Sequence, residues 1–214
     1  MKAYLVTRPE HDDTTHYLSA WCKETVDLAE GKGIKVLDLR REKANKEEVE
    51  SMLRKHEPAL VVLNGHGDEN TVTGHKNIPV VQKGENEGVL KSRIVYAISC
   101  SSAKKLGPAS VDAGAISYIG YDDDFVFFYE PAKISKPLHD ETAKLFLKPS
   151  QILIEALIKG NSVKESVERA RALMQDELRR LLATPNTDKE LVRYLWWNMR
   201  HFVAHGENLE VTVN

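Results

Sequence analysis

Short apolar runs alternate with amphipathic stretches through the first two-thirds of the chain, and this alternation restricts the possible folds more than any other feature. Apolar periodicity and turn residues predict five strands, with the sequences KAYLV, IKVLDL, ALVVLN, RIVYAIS and AISYIGY. Strands that alternate with helices predict an α/β fold, a three-layer α/β/α arrangement with a mainly parallel sheet. The third and fourth runs are almost entirely apolar, as expected for strands that are covered on both faces.

Polar residues with capping chemistry precede the predicted helices. Asp12 lies before the first helical stripe, where its carboxylate can satisfy free backbone N–H groups. Asn45 with Glu48 indicates a capping box before the second helix, and Ser162 with Glu165 indicates another in the C-terminal part. These signals locate the helix starts between the strands.

The last third of the chain, about 135–214, is more helical. Leu138–Leu147 and Ile152–Ile158 are predicted as two short helices, and "NLEVTV" (208–213) is predicted as a returning edge strand. The sequence contains no internal repeat and no convincing linker. Residues 1–214 are therefore predicted to form a single domain.

Composition argues against several classes of partner. The chain has 214 residues with 30 Lys and Arg against 32 Asp and Glu, so its charge balance predicts no nucleic-acid partner. No apolar run approaches the roughly 18 residues that would indicate a membrane partner. The N-terminus lacks a signal-peptide pattern and two cysteines do not indicate a disulfide scaffold, so a cytoplasmic location is expected.

A histidine and a cysteine follow the two most apolar strands. His66 lies two residues beyond the third predicted strand, and Cys100 follows the fourth directly. Open α/β sheets bind ligands at the carboxyl ends of their strands, so parallel neighbours would bring both side chains to one edge. The imidazole can then take the thiol proton and later protonate a leaving amine. The pair therefore predicts nucleophilic catalysis.

Glycines flank the histidine in "NGHGD". Gly65 and Gly67 are expected to let the backbone turn without a Cβ penalty and to leave N–H groups uncovered. The N–H of Gly67, together with that of Cys100, could face the oxyanion of a tetrahedral intermediate. A catalytic imidazole beside an oxyanion donor is the interpretation that this turn favours.

The motifs "VVLNGHGD", "IVYAISCSS" and "LGPASVDAGAISYIGY" together resemble the caspase–hemoglobinase (clan CD) cysteine peptidases, especially the CHAT and gingipain-like branches. The resemblance covers roughly Leu60 to Tyr121. It implies a caspase-like thiol protease with His66 as base and Cys100 as nucleophile, acting on a protein or peptide substrate. It implies neither a metal nor an organic cofactor, and relatives in this group often await an activating partner or ligand.

One position departs from the pattern of a related group of peptidases. Clostripain-type relatives with arginine specificity carry an aspartate two residues before the cysteine, whereas this chain has Ile98.

An acidic run bears on the choice of substrate. Asp122, Asp123 and Asp124 follow the fifth strand at the expected substrate edge. Three carboxylates can recognise a basic side chain there, or they can form a solvated loop.

The remaining cysteine and histidines receive structural interpretations. Cys22 lies on the apolar stripe of the first helix and is expected to pack as a small hydrophobe. His75 is expected on a surface loop, and the histidines near helix ends are expected to be solvated or capping: His11, His16 and His56. No spacing indicates a metal site among His139, His201 and His205 with a cysteine.

Two other functions remain open on the sequence alone. The first is a catalytically silent caspase-like domain that serves as an interaction scaffold, because both dyad residues can exist in a site that never assembles. The second is an α/β module that binds a phosphate or nucleotide through the "NGHGD" turn. No glycine-rich phosphate loop of the usual spacing supports the second.

Overall fold

The computed structural model describes residues 3–213 and contains a six-stranded sheet and a small hairpin. The strands of the sheet, in chain order, are β1 (Ala3–Arg8), β2 (Lys35–Arg40), β3 (Leu60–Asn64), β6 (Ile94–Ile98), β7 (Ser117–Tyr121) and β8 (Phe202–His205); the hairpin consists of β4 (Thr71–Thr73) and β5 (Pro79–Gln82). The sheet order is β2-β1-β3-β6-β7-β8, with β8 antiparallel to β7 and all other pairs parallel. The predicted α/β class and mainly parallel sheet are confirmed.

Six α-helices within the described residues connect and cover these strands. They are α1 (Asp13–Gly31), α2 (Lys46–His56), α3 (Ser102–Asp112), α4 (Glu141–Ile158), α5 (Val163–Ala183) and α6 (Lys189–His201). Asp12 caps α1, and Ser162 with Glu165 forms the predicted capping box of α5. Asn45 caps α2 by accepting the N–H of Glu48 at 2.9 Å, but the predicted capping box is incomplete because the Glu48 side chain makes no return bond to the Asn45 N–H.

Side chains alternate between two cores, one on each face of the sheet. Tyr4, Leu60 and Tyr96 face a core that includes residues of α1, α4 and α5. Leu63 and Ala97 face the opposite core, which includes residues of α2 and α3. Because successive strand residues point to opposite faces, strands covered on both sides are apolar throughout, as the sequence predicted.

Two predictions for the C-terminal third are wrong. The segments predicted as separate helices belong to one helix, α4, which continues through the buried Pro149. Proline removes one backbone hydrogen bond from the helix, which costs free energy. Burial of apolar side chains on both sides of the proline in the same core outweighs this cost; Phe146 and Leu153 are two of them.

The edge strand is also placed differently from the prediction. Phe202–His205 pairs with β7, whereas 208–213 forms no strand. Instead, the carbonyl oxygens of Val211 and Leu209 accept the N–H groups of Val163 and Lys164 at 2.9 and 2.8 Å. This segment therefore satisfies free N–H groups in the first turn of α5, where a helix has no internal acceptors.

The segment between β3 and β6 contains the hairpin β4–β5. No helix within residues 3–213 is long and apolar enough to cross a membrane.

Candidate active site

His66 and Cys100 follow neighbouring parallel strands at the same edge of the sheet. Asn64 of β3 pairs with Ile98 of β6, and His66 and Cys100 each lie two positions beyond their member of that pair. The N–H of Gly65 donates to the carbonyl of Ile98 at 3.3 Å, which extends the pairing one residue further. The two strand exits predicted to be adjacent are therefore adjacent, and both loops open at the carboxyl end of the sheet.

The His66 ring is held by a carboxylate that sequence reasoning treated only as a helix cap. Its Nε2 lies 2.7 Å from Oδ2 of Asp12, and the side chain is about one-third exposed. The other carboxylate oxygen of Asp12 accepts the N–H of Thr15 at 2.8 Å as the cap of α1. One aspartate thus fixes both the start of a helix and the orientation of the imidazole.

The charge state of Asp12 follows from these contacts. Burial raises the pKa of this carboxyl group, but hydrogen bonds from the Thr15 N–H and from His66 outweigh that effect and lower it. An ionised Asp12 favours the His66 tautomer that donates from Nε2. In the neutral ring the other nitrogen, Nδ1, then carries the lone pair that can accept a proton.

The Cys100 thiol occupies a more enclosed position. Its Sγ donates to the carbonyl oxygen of Phe125 at 3.7 Å, and no hydrogen bond joins it to His66 within residues 3–213. Burial raises the pKa of the thiol, and the nearby charges of Asp124 and Asp123 raise it further. The sulfur is therefore a neutral thiol in this conformation, and the structure does not contain a preformed thiolate–imidazolium pair.

The N–H groups of Gly67 and Cys100 have no acceptor among the described residues. Gly67 lies opposite Val72 in an isolated bridge to the hairpin. The bridge bonds run between neighbouring residues, from Thr73 N–H to the His66 carbonyl at 2.9 Å and from Asp68 N–H to the Thr71 carbonyl at 3.0 Å. In such a pair the N–H of Gly67 points away from the hairpin.

The two glycines serve close packing rather than a special turn. Neither Gly65 nor Gly67 has a positive φ, so the expected conformational reason is wrong. A Cβ on Gly67 would lie 2.7 Å from the carbonyl oxygen of Thr71 and 3.0 Å from Cβ of Ser99. A Cβ on Gly65 would overlap the carbonyl of Thr73. Both positions require glycine because the hairpin backbone lies directly against this loop.

The acidic run lies beside the cysteine loop. The N–H of Ser101 donates to the carbonyl of Asp123 at 2.9 Å, which joins the loops after β6 and β7. Oδ1 of Asp122 lies within hydrogen-bond distance of Nδ1 of His201, at 2.7 Å. The indole of Trp197 donates to the carbonyl of Asp124 at 3.0 Å. The run is thus a fixed loop near Cys100, with the Asp124 side chain exposed.

His11 belongs to this edge, although the sequence interpretation placed it in solvent or at a cap. Its side chain is 11% exposed, and its ring centroid lies 6.1 Å from that of His66 and 5.4 Å from that of His75. His75 is likewise largely buried rather than a free surface residue. The "HD" pair follows β1 after only two residues, so the carboxyl-end rule applied to the first strand would have found both His11 and Asp12.

A cleft of about 530 Å³ adjoins this cluster where β1 and β2 end. Glu10 accepts hydrogen bonds from Arg41, Arg40 and Ser19 at its wall. Lys136 contributes a further positive charge to the lining. The carboxyl edge therefore carries a basic cleft at one end and the acidic Asp122–Asp124 run at the other.

No family model matches the chain, and no curated protein sequence shows significant similarity to it.

Proposed function

We propose that the chain is a caspase-like cysteine endopeptidase in which Cys100 is the nucleophile and His66 the general base. One observation carries this proposal: His66 and Cys100 each lie two residues beyond a paired position of neighbouring parallel strands. Those paired positions are Asn64 and Ile98. Two nearby N–H groups without acceptors, those of Gly67 and Cys100, supply the donors that acyl transfer needs. The resemblance of segment 60–121 to clan CD peptidases supports the same reaction.

In the proposed reaction, a peptide enters at the strand ends and Nδ1 of His66 takes the proton of Cys100. The thiolate attacks the scissile carbonyl carbon, and a C–S bond forms while the carbonyl π electrons move to oxygen. The N–H groups of Gly67 and Cys100 stabilise this oxyanion. One such donor contributes typically about 2.7–4 kcal/mol to the transition state.

The tetrahedral intermediate then loses its amine. The C–N bond breaks, the imidazolium of His66 gives its proton to the leaving nitrogen, and a thioester to Cys100 remains. The same imidazole deprotonates a water molecule, whose oxygen attacks the thioester carbonyl. The C–S bond then breaks, the carboxylate product leaves, and the imidazolium returns the proton to the Cys100 sulfur. Asp12 acts throughout as a positioning residue, because its carboxylate holds the ring through Nε2.

The resting thiol must change partner before it reacts. It donates to Phe125, and its raised pKa keeps it protonated near neutral pH. Proximity of the imidazole in the substrate complex compensates for this, because general base catalysis requires the contact only during attack. The need for this step favours activation by substrate or by a partner, as in the group that the sequence resembles.

The contact between Cys100 and Phe125 also favours a second candidate, a catalytically silent scaffold of the same fold. In that case the thiol would remain on the carbonyl oxygen and the His66 ring on Asp12, and the strand edge would serve only to bind a partner.

A positional-scanning peptide library separates the two candidates. The peptidase proposal expects cleavage by the wild-type chain, loss of cleavage in Cys100→Ala and His66→Ala, and retention in the matched thiol control Cys22→Ala. A peptidyl chloromethyl ketone built on the best sequence should modify Cys100 alone, as shown by peptide mass mapping. Full activity in Cys100→Ala would exclude the mechanism. If the folded wild-type chain cleaved no peptide of the library, the scaffold would be favoured.

A further inference from the structure

We infer that His11, Asp12 and His66 form a Zn²⁺ site at the carboxyl ends of β1 and β3. One potential ligand atom from each residue lies within 4.8 Å of the other two. The Oδ2 atom of Asp12 is 2.7 Å from Nε2 of His66 and 3.5 Å from Nε2 of His11. A single carboxylate oxygen thus lies next to two imidazole nitrogens.

The donor set matches the chemistry of zinc. Zn²⁺ binds imidazole nitrogen and carboxylate oxygen at about 2.0–2.2 Å, and sites with three protein ligands leave one position for water. Ligand atoms at tetrahedral positions are then roughly 3.3–3.6 Å apart. The separation between His11 and Asp12 already has this value, and that between His66 and Asp12 would lengthen when the metal replaces the shared proton.

The strand order places these residues where α/β sheets commonly bind ligands. The chain runs from β1 to its neighbour β2 and then returns to the other side of β1 as β3. Helix α1, which follows β1, packs on one face of the sheet, and the hairpin that follows β3 packs on the other. The chain therefore leaves β1 and β3 toward opposite faces, and α/β sheets commonly bind ligands at such a change of direction. His11 and Asp12 lie in one of these loops and His66 in the other.

Hydrogen bonding in the cluster is incomplete within the described part of the chain. The Nδ1 atoms of His11 and His75 are both buried without a partner. Buried polar atoms in folded proteins are usually satisfied, and an exception calls for an explanation such as a bound ion or water. In His11 the unpartnered atom is the ring nitrogen opposite the one that would hold the metal, so a second partner is missing beside the proposed ligand atom. His11 does have one partner, Oδ1 of Asn77, at 3.0 Å from its Nε2, and this amide would have to yield to the metal.

A metal at this site would compete with the proposed peptidase reaction, and this consequence rests on the proposed function. Zn²⁺ on Nε2 of His66 replaces the contact through which Asp12 positions the ring. The bound dication also repels the positive charge that the ring gains when it takes the Cys100 proton. Zinc is therefore expected to inhibit peptide hydrolysis reversibly, and a chelator is expected to restore it.

Titration calorimetry of the full chain with Zn²⁺ tests the site directly. The wild type is expected to bind one ion saturably, and His11→Ala and Asp12→Asn are each expected to weaken binding at least about tenfold. Asp12→Asn keeps the cap of α1, because asparagine caps helices well. His56→Ala is the histidine control, since His56 lies at the opposite edge of the sheet beside Lys35. Cys100→Ala is the thiol control, and both controls should bind as the wild type does.

X-ray absorption of the zinc-loaded chain identifies the ligands. Only nitrogen and oxygen neighbours are expected. A sulfur neighbour near about 2.3 Å, or weaker binding in Cys100→Ala, would move the metal to the thiol and overturn this site. Unchanged binding in folded His11→Ala and Asp12→Asn, or no saturable binding by the wild type, would overturn it as well. These results are independent of peptidase activity, so failure of the proposed function leaves the binding test intact.

Discussion

Asp12 and His66 share a 2.7 Å contact across 54 residues of sequence, and the same aspartate caps the first helix of the chain. The cap fixes the carboxylate at the end of β1, and the carboxylate fixes the ring at the end of β3. The orientation of the candidate base therefore depends on a residue whose local sequence signal indicates only a helix start.

Asp12→Asn should reduce kcat/KM for the best library peptide by about 10²-fold or more, because the ring loses the charge that holds its tautomer. Thermal stability should change little, since asparagine still caps α1. Asn45→Ala is the matched control: it removes the cap of α2, lowers the free energy of unfolding by about 1 kcal/mol and leaves turnover unchanged. Equal turnover in Asp12→Asn and the wild type would show that Asp12 has no positioning role.

Cys100 should react with iodoacetamide before Cys22, because Cys22 is fully buried in the core whereas Cys100 is partly exposed. Burial raises the pKa of Cys100, so its thiolate fraction is small at pH 7 and its alkylation rate should still be rising at pH 8.5. Asp124→Asn removes a nearby negative charge and should increase the rate at pH 7. A rate that is already constant between pH 6 and pH 8 would indicate a preformed thiolate and contradict the resting state described above.

Gly65→Ala and Gly67→Ala should each lower the free energy of unfolding by about 1–3 kcal/mol, because the new methyl group meets the backbone of the hairpin. Gly88→Ala is the control, since a Cβ there would have no neighbour within 4 Å. Urea denaturation of the three variants measures the difference. If the two loop variants were as stable as Gly88→Ala, the hairpin would not pack against the loop as described.

Glu10 should contribute to the pH dependence of stability. Burial raises its pKa, but hydrogen bonds from Arg41, Ser19 and Arg40 outweigh this effect and lower it to about 2. A folded-state pKa below the unfolded value of about 4.3 gives stability that is present above pH 4.3 and is lost as the pH falls toward 2.

Glu10→Gln should therefore lower the free energy of unfolding by about 1–2 kcal/mol at pH 7, and this difference from the wild type should disappear near pH 2. Chemical denaturation at several pH values measures it, with the exposed Glu30→Gln as control. A difference that persists unchanged at pH 2 would show that the ion pairs of Glu10 do not stabilise the fold.

Local sequence patterns were sufficient to predict those strands and helix caps that are determined by residues close together in the chain. The five parallel strands of the sheet and the caps at Asp12 and Ser162 were predicted because apolar runs and capping side chains act over a few residues. The sequence predicted two helices on either side of Pro149, whereas the structure has one. Burial of this helix on a core that is distant in sequence outweighs the local free-energy cost of the proline. The edge strand was misplaced because pairing with β7 is decided across the sheet.

The sequence by itself determined the fold class and located His66 and Cys100 at strand ends, since strand periodicity and loop position are local properties. Only the tertiary structure decided that His11 and Asp12 lie beside His66, because that meeting depends on β1 and β3 being paired neighbours. It also decided that the Cys100 thiol contacts Phe125, a partner 25 residues away along the chain. Contacts across a sheet edge follow from strand order, which no single segment encodes.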